Sequence, residues 1–168
     1  MATEEPLLAK LILEIHKALM DGCYDTARWE QGERPGEFKH HDYATGDDVG
    51  AASSDVEDEI KELCDEVNAA SDGDMLTVAA YLHLKFESIH PFADGNGRVG
   101  RTLVNYYLLT HGMPPAILYE EDKKTYYMSL AVYDKTEDIA GFRQFLMEQT
   151  IKTWKKKDRP TRTLSFFI

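Results

Sequence analysis

His90-Pro91-Phe92-Ala93-Asp94-Gly95-Asn96-Gly97-Arg98-Val99-Gly100-Arg101 places a base, an acid, a glycine-flanked turn and two arginines within twelve residues. Gly95, Asn96 and Gly97 tolerate positive φ, the geometry that turns successive backbone N–H groups toward one point and makes an anion-binding nest. The following stretch, Arg98 to Leu109, has helical periodicity, with Val99, Leu103, Tyr106 and Leu109 or Thr110 on one stripe. The nest therefore opens a helix, whose positive end adds attraction for phosphate. Arg98 and Arg101, three residues apart, project fork-like donors at adjacent phosphates, which suits a polyphosphate better than a monophosphate.

Asp94 beside this cationic turn would repel such a ligand unless a cation lay between them. Mg²⁺, held by one or two carboxylates plus phosphate oxygens, resolves the conflict. His90 is the residue here whose ordinary pKa suits proton abstraction near neutral pH. Pro91 stops the helix that precedes it, and Phe92 anchors the loop in the core.

Working outward, Leu7, Leu8, Leu11, Ile12, Ile15 and Leu19 predict an amphipathic helix over 5–20, ended at Asp21-Gly22, with His16 as polar packing. Residues 21–52 lack helical period and read as loops. Ser54-Asp55-Val56-Glu57 is a capping-box pattern opening a helix that buries Val56, Ile60, Leu63 and Val67. Residues 75–89 form a more apolar, central helix through Val78, Tyr81, Leu82, Phe86 and Ile89, which delivers His90 to the site. Beyond the motif helix, Gly112 is an αL cap. Two more helices follow, over 121–134 and 137–156. The expected fold is mainly α, a single domain over 1–168 with core helices over about 5–156 and a basic tail at 157–168.

Composition excludes several classes. A net charge of −11 argues against general nucleic-acid binding, which demands a basic surface. No run of about 18 apolar residues exists to cross a bilayer, and Glu4 and Glu5 stand where a signal peptide wants basic residues. Neither a membrane nor a nucleic acid is an expected partner, and the cytosol is the expected location. Cys23 and Cys64 read as free thiols. The acidic run between Asp55 and Glu66 reads as a solvated helix face.

The central stretch resembles the Fic family, whose motif HxFx(D/E)GNGRxxR is met at His90, Phe92, Asp94, Gly95, Asn96, Gly97, Arg98 and Arg101. The resemblance implies the Fic fold, a bundle of about six helices with a small β-hairpin flap. It also implies a protein adenylyltransferase that moves AMP from ATP onto a Ser, Thr or Tyr hydroxyl of a target protein and releases pyrophosphate. On that reading His90 is the catalytic base and Asp94 holds Mg²⁺. Phe92, Gly95, Asn96, Gly97, Arg98 and Arg101 belong to the nucleotide site, the glycine turn as the anion hole and the arginines at the β/γ end. Tyr126 and Tyr127 stand where the family places tyrosines near the base; alternatively one packs in the core and the other lies on the surface. The flap, which clamps a target peptide by strand addition, corresponds to about 36–46, with Glu37, Phe38, Lys39 and His40 as its target-facing residues; Lys39 stands where the family commonly has arginine.

Many Fic proteins silence themselves with an (S/T)xxxE(G/N) helix whose glutamate pairs with the second arginine. Ser53–Asp58 and Thr26–Gln31 have the spacing but end in the wrong residue, so an internal brake is not expected. Restraint would then fall to an antitoxin-like inhibitor or to homo-oligomerisation. Two alternatives remain: transfer of UMP, GMP, phosphocholine or phosphate on the same fold, and a catalytically silent module that binds nucleotide or peptide.

Overall fold

The computed structural model describes residues 6–43, 50–70 and 73–157. Its described residues form seven α-helices: α1 (Ala9–Met20), α2 (Thr26–Glu30), α3 (Val56–Ala69), α4 (Met75–Ile89), α5 (Asn96–Thr110), α6 (Lys123–Thr136) and α7 (Ala140–Lys157). A 3₁₀ turn, Glu120–Asp122, leads into α6. None of these helices is long and apolar enough to cross a membrane.

The middle of the bundle is α4, which packs against α3, α5, α6 and α7. Its sequence explains this: Val78, Ala79, Ala80, Leu82, Leu84, Phe86 and Ile89 bury more than one face, as a helix surrounded by others must. Asp74 caps its N-terminus by accepting from the Thr77 N–H, and Arg143 of α7 reaches the same carboxylate at 2.8 Å. At its other end His90 takes a left-handed conformation, φ 52°, which turns the chain sharply into Pro91.

Two helix phases differ from the periodicity reading. In α1 the buried residues are Ile12, His16 and Met20, while Leu8 is 54% exposed and Leu19 lies at the surface. Leu8 is extended at the N-cap, so the helix begins later than expected and its buried face is rotated toward His16. In α5 the stripe is Val99, Leu103 and Tyr107 with Val104 and Leu108; Tyr106 is only half-buried and Leu109 is exposed. The capping box before α3 does not form, because the Ser54 hydroxyl donates to Asp55 Oδ1 and no side chain caps the helix. Helix α2 arises in the stretch read as loop, its five residues opened by Asp25, whose carboxylate accepts from the Arg28 N–H. Five residues are too few to show a hydrophobic period. Cys23 and Cys64 are both free thiols.

No strand occurs among the described residues, so the expected hairpin is not found there. Residues 37, 39 and 40 have other uses for their N–H groups: Glu37 donates to the Arg34 carbonyl, Lys39 to that of Pro91, and His40 to the Glu33 carboxylate. A strand edge needs those donors free. The remainder of the expected flap, residues 44–46, lies outside the described residues, as do residue 5 and the tail from 158 onward.

The α4–α5 seam is set by Gly100. A Cβ there would lie 2.5 Å from Glu87 Oε1 and 3.1 Å from His83 Nδ1, so only a bare backbone permits this approach. Gly100→Ala is expected to destabilise the fold by about 1–3 kcal/mol through overpacking. Urea unfolding checks this; an unchanged midpoint would show that the seam relaxes freely.

Candidate active site

The loop joining α4 to α5 is held in shape by its own side chains. Asn96 is buried, and its amide pairs reciprocally with the backbone of Phe92: Oδ1 accepts from the Phe92 N–H at 2.9 Å and Nδ2 donates to the Phe92 carbonyl at 2.8 Å. This closes His90–Asn96 into a compact turn. Gly95 is left-handed like His90 at the other end of the turn, φ 85°, and a Cβ there would strike Met20 Sδ at 2.6 Å. Gly97 is already helical, so the anion site is a single αL glycine leading into a helix N-terminus rather than a nest built on both glycines. The Asn96 and Gly97 N–H groups open the first turn of α5, where intrahelical acceptors do not exist. Fully buried Phe92 stacks on His16 with ring centroids 3.7 Å apart and also meets Phe38 and Phe86. It anchors the loop, as its aromatic character implied, but offers no surface to a nucleotide.

His16 fastens the loop from below. Its Nδ1 accepts from the Gly36 N–H at 2.8 Å, which leaves the ring proton on Nε2 to donate to the Asp94 carbonyl at 3.1 Å. Burial lowers its pKa, and the field of Arg98 lowers it further against the opposing pull of Asp94. Periodicity marked His16 as packing; its position beneath Asp94 was not legible because the contact spans 78 residues of chain.

The Asp94 side chain accepts from the Gly95 N–H at 2.6 Å and is 40% exposed. Arg98 stands 3.7 Å from one carboxylate oxygen and Arg28 stands 3.8 Å from the other. Arg28 comes from α2, held by Asp25 at 2.9 Å, and the sequence reading missed it because its helix was missed. No group of three or more His, Cys, Asp or Glu able to hold a metal exists among the described residues. Asp94 alone therefore does not make a protein cage. Its open carboxylate does fit a divalent ion that takes most of its ligands from phosphate and water.

Arg101 lies one turn along α5 and borders two open clefts. One, about 220 Å³, is lined by Arg101, Tyr119, Lys123, Tyr126, Tyr127 and Phe145. The other, about 320 Å³, adds Arg98, Thr102 and Asn105. Tyr126 is 6% exposed and Tyr127 is 55% exposed, yet both border the first cleft, their rings edge to face at 5.1 Å. His90 borders a third cleft of about 270 Å³ with Gly50, Glu87, Ser88, Tyr127 and Asp134.

Two main-chain hydrogen bonds bracket His90. Lys39 N–H donates to the Pro91 carbonyl and Ala51 N–H to the Ile89 carbonyl, so the chain between 39 and 51 starts and ends beside the histidine. Gly50, φ 66°, sits so close that a Cβ would be 2.8 Å from the His90 Cβ. Of the four residues expected to face a target, Phe38 packs against the core and Lys39 is buried. Glu37 and His40 are exposed and 3.4 Å apart.

The motif model of the Fic/DOC family matches residues 6–108, and the chain belongs to that family. A Drosophila willistoni protein named protein adenylyltransferase Fic is 32% identical over 158 residues, covering 90% of this chain and 30% of its own length. The Drosophila virilis counterpart is 31% identical over the same span. The chain thus spans about a third of the length of the curated relatives it matches. Among solved structures, a Fic-domain signalling protein from Bacteroides thetaiotaomicron superposes with a TM-score of 0.78 at 27% identity, covering 90% of this chain and 62% of that one. Fic-1 from C. elegans gives 0.76 at 26% identity, with 90% and 43% covered.

Because folded His16 resists the proton that the unfolded chain accepts below about pH 6.5, its contribution to stability is present above that pH and is lost as pH falls. His16→Gln is expected to flatten the loss of unfolding free energy between pH 7.5 and 5.5. Denaturant titrations at both pH values test it; an equal loss in the two proteins would contradict the assignment.

Proposed function

We propose that this chain is a protein adenylyltransferase domain that transfers AMP from ATP to a hydroxyl side chain of a target protein. The observation that supports this most is the convergence at one loop of an anion-binding helix N-terminus, the Asp94 carboxylate and His90. The family membership and the names of the relatives agree with it.

Asp94 would hold Mg²⁺, which supplies charge neutralisation at the α- and β-phosphates. The N–H groups of Asn96 and Gly97 and the positive end of α5 bind phosphate oxygens, and Arg98 and Arg101 take the β/γ end. Arg28, freed from Asp94, keeps its hold on Asp25 and adds positive charge at the same place. His90 removes the hydroxyl proton as the target oxygen bonds to the α-phosphorus; the bond from that phosphorus to the bridging oxygen breaks, and pyrophosphate leaves with the electron pair. The cleft bordered by Tyr126 and Tyr127 is the candidate seat for the base, with Tyr127 the exposed ring available for stacking.

The target would approach through the chain between residues 39 and 51, whose ends are tied beside His90. Phe38 and Lys39 act in this reading as its footing, while Glu37 and His40 stay open to a partner. Restraint by an inhibitor chain or by self-association belongs to the whole protein and is tested by its purification partners.

Incubation with labelled ATP, UTP and GTP separates the readings: AMP transfer is expected from ATP, and label from UTP or GTP alone would reassign the nucleotide. No transfer, with nucleotide bound, would favour a silent binding module. His90→Ala is expected to lower transfer by about 10²–10⁴-fold while ATP affinity stays within a few-fold. Full transfer by that variant would remove His90 from the chemistry. Asp94→Ala should abolish the Mg²⁺ dependence of ATP binding; an unchanged Mg²⁺ titration would place the metal elsewhere.

A further inference from the structure

The two oxygens of the Asp94 carboxylate are held differently. Oδ1 accepts from the Gly95 N–H at 2.6 Å and lies on the Arg98 side, 3.7 Å from that guanidinium. Oδ2 pairs with Arg28 at 3.8 Å, outside hydrogen-bonding distance. Arg28 belongs to α2 and not to the motif. One oxygen of Asp25 accepts from the Arg28 N–H and caps the helix, while the other accepts from Arg28 Nη1, both at 2.9 Å. The guanidinium also lies over the Tyr24 ring, 5.9 Å from its centroid, and its Nε is buried without a hydrogen-bond partner among the described residues. Asp25 and Tyr24 thus anchor one side of the group, and its Nη2 reaches toward an oxygen that it does not bond. His16 fixes the same aspartate through its carbonyl at 3.1 Å, with the Tyr24 hydroxyl 3.4 Å from the same nitrogen. Residues 16–28 therefore hold Asp94 by main chain and side chain together.

We propose that Arg28 is the resident counter-ion of Asp94: it stands at Oδ2 in place of a divalent cation and yields that oxygen when the cation arrives with the nucleotide. The inference rests on the reading that Asp94 holds Mg²⁺ beside the phosphates. A carboxylate next to a polyphosphate repels it unless a positive charge stands between them, with or without metal. Oδ1 is already engaged by the loop backbone, so Oδ2 is the oxygen that a metal can claim, and it is the one that Arg28 faces. The pair is partly exposed and not hydrogen-bonded, so parting it costs little. The bond from Nη1 to Asp25 does not depend on Asp94 and survives the exchange. Arg28 is therefore a positioning residue with two states. Without metal it screens Asp94 from the triphosphate; with metal bound, the cation takes over that task.

Equilibrium binding of an ATP analogue with a methylene bridge between its α- and β-phosphates, measured in EDTA and in saturating Mg²⁺, reads this exchange without turnover. Arg28→Gln leaves the cap of α2 intact, because the cap uses the Arg28 main-chain N–H. The variant is expected to weaken binding in EDTA by about two- to fivefold more than in Mg²⁺, the scale of a partly exposed ion pair. Arg28→Lys, which keeps the charge, should restore most of the loss in EDTA. Equal weakening in the two conditions, as from a merely displaced α2, overturns the proposal. So does unchanged binding in EDTA, or a loss that Arg28→Lys does not restore. Asp94→Ala separates the two layers. If Mg²⁺ strengthens binding to that variant as it does to wild type, the metal reading of Asp94 fails. If Asp94→Ala removes the Mg²⁺ effect while Arg28→Gln keeps it at its wild-type size, the exchange at Oδ2 alone fails.

Discussion

Everything at the site depends on how closely α4 and α5 approach at Gly100. The missing Cβ allows the α5 backbone to lie against the His83 and Glu87 side chains of α4, and a loop of six residues, His90 to Gly95, must then reverse the chain between them. So short a reversal requires left-handed geometry at both ends, at His90 and at Gly95. One of those residues carries the imidazole and the other aims the α5 N-terminus. Conformational strain at His90, of the order of 1–3 kcal/mol, is tolerated because Asn96, Phe92 and His16 fix the loop from within. Packing and chemistry here share the same atoms.

The electrostatics are local. In the proposed function a chain of net charge −11 gathers an anion because three arginines, a helix N-terminus and oriented N–H groups converge where one carboxylate sits. Asp94 is balanced by Arg98 and Arg28 at distances beyond direct hydrogen bonding, so it can exchange those partners for a metal at modest cost. The buried layer below behaves differently: Glu87 Oε1 and His83 Nδ1 are buried without hydrogen-bond partners, and burial pushes the Glu87 carboxyl up to about 7 and the His83 imidazole down to about 4.

The parts of this arrangement written in consecutive residues were readable from sequence. The motif turn, the apolar α4 that carries His90, the helix following Gly95 and the glycine cap at Gly112 all rest on local signals, and each is present. Arg28 and the place of His16 were not readable, because each acquires its role only through contacts made across the fold. Leu8 and Leu19 misled for a related reason: in α1 the burial phase is decided by where Leu8 leaves the extended state, which no periodicity encodes. The hairpin is not found among the described residues, where the backbone donors of Lys39 and His40 are consumed by Pro91 and Glu33, a pairing invisible before the loop is built.

In the proposed function the α5 N-terminus and Arg101 hold a polyphosphate so that its α-phosphorus faces His90. A crystal structure with Mg²⁺ and a non-hydrolysable ATP analogue tests this most directly. Phosphate oxygens are expected on the N–H groups of Asn96 and Gly97, the metal on Asp94, the terminal phosphate on Arg101, and the His90 ring on the side of the α-phosphorus opposite the departing pyrophosphate. A nucleotide whose phosphates lie away from this helix end, or whose α-phosphorus is shielded from His90, would contradict it.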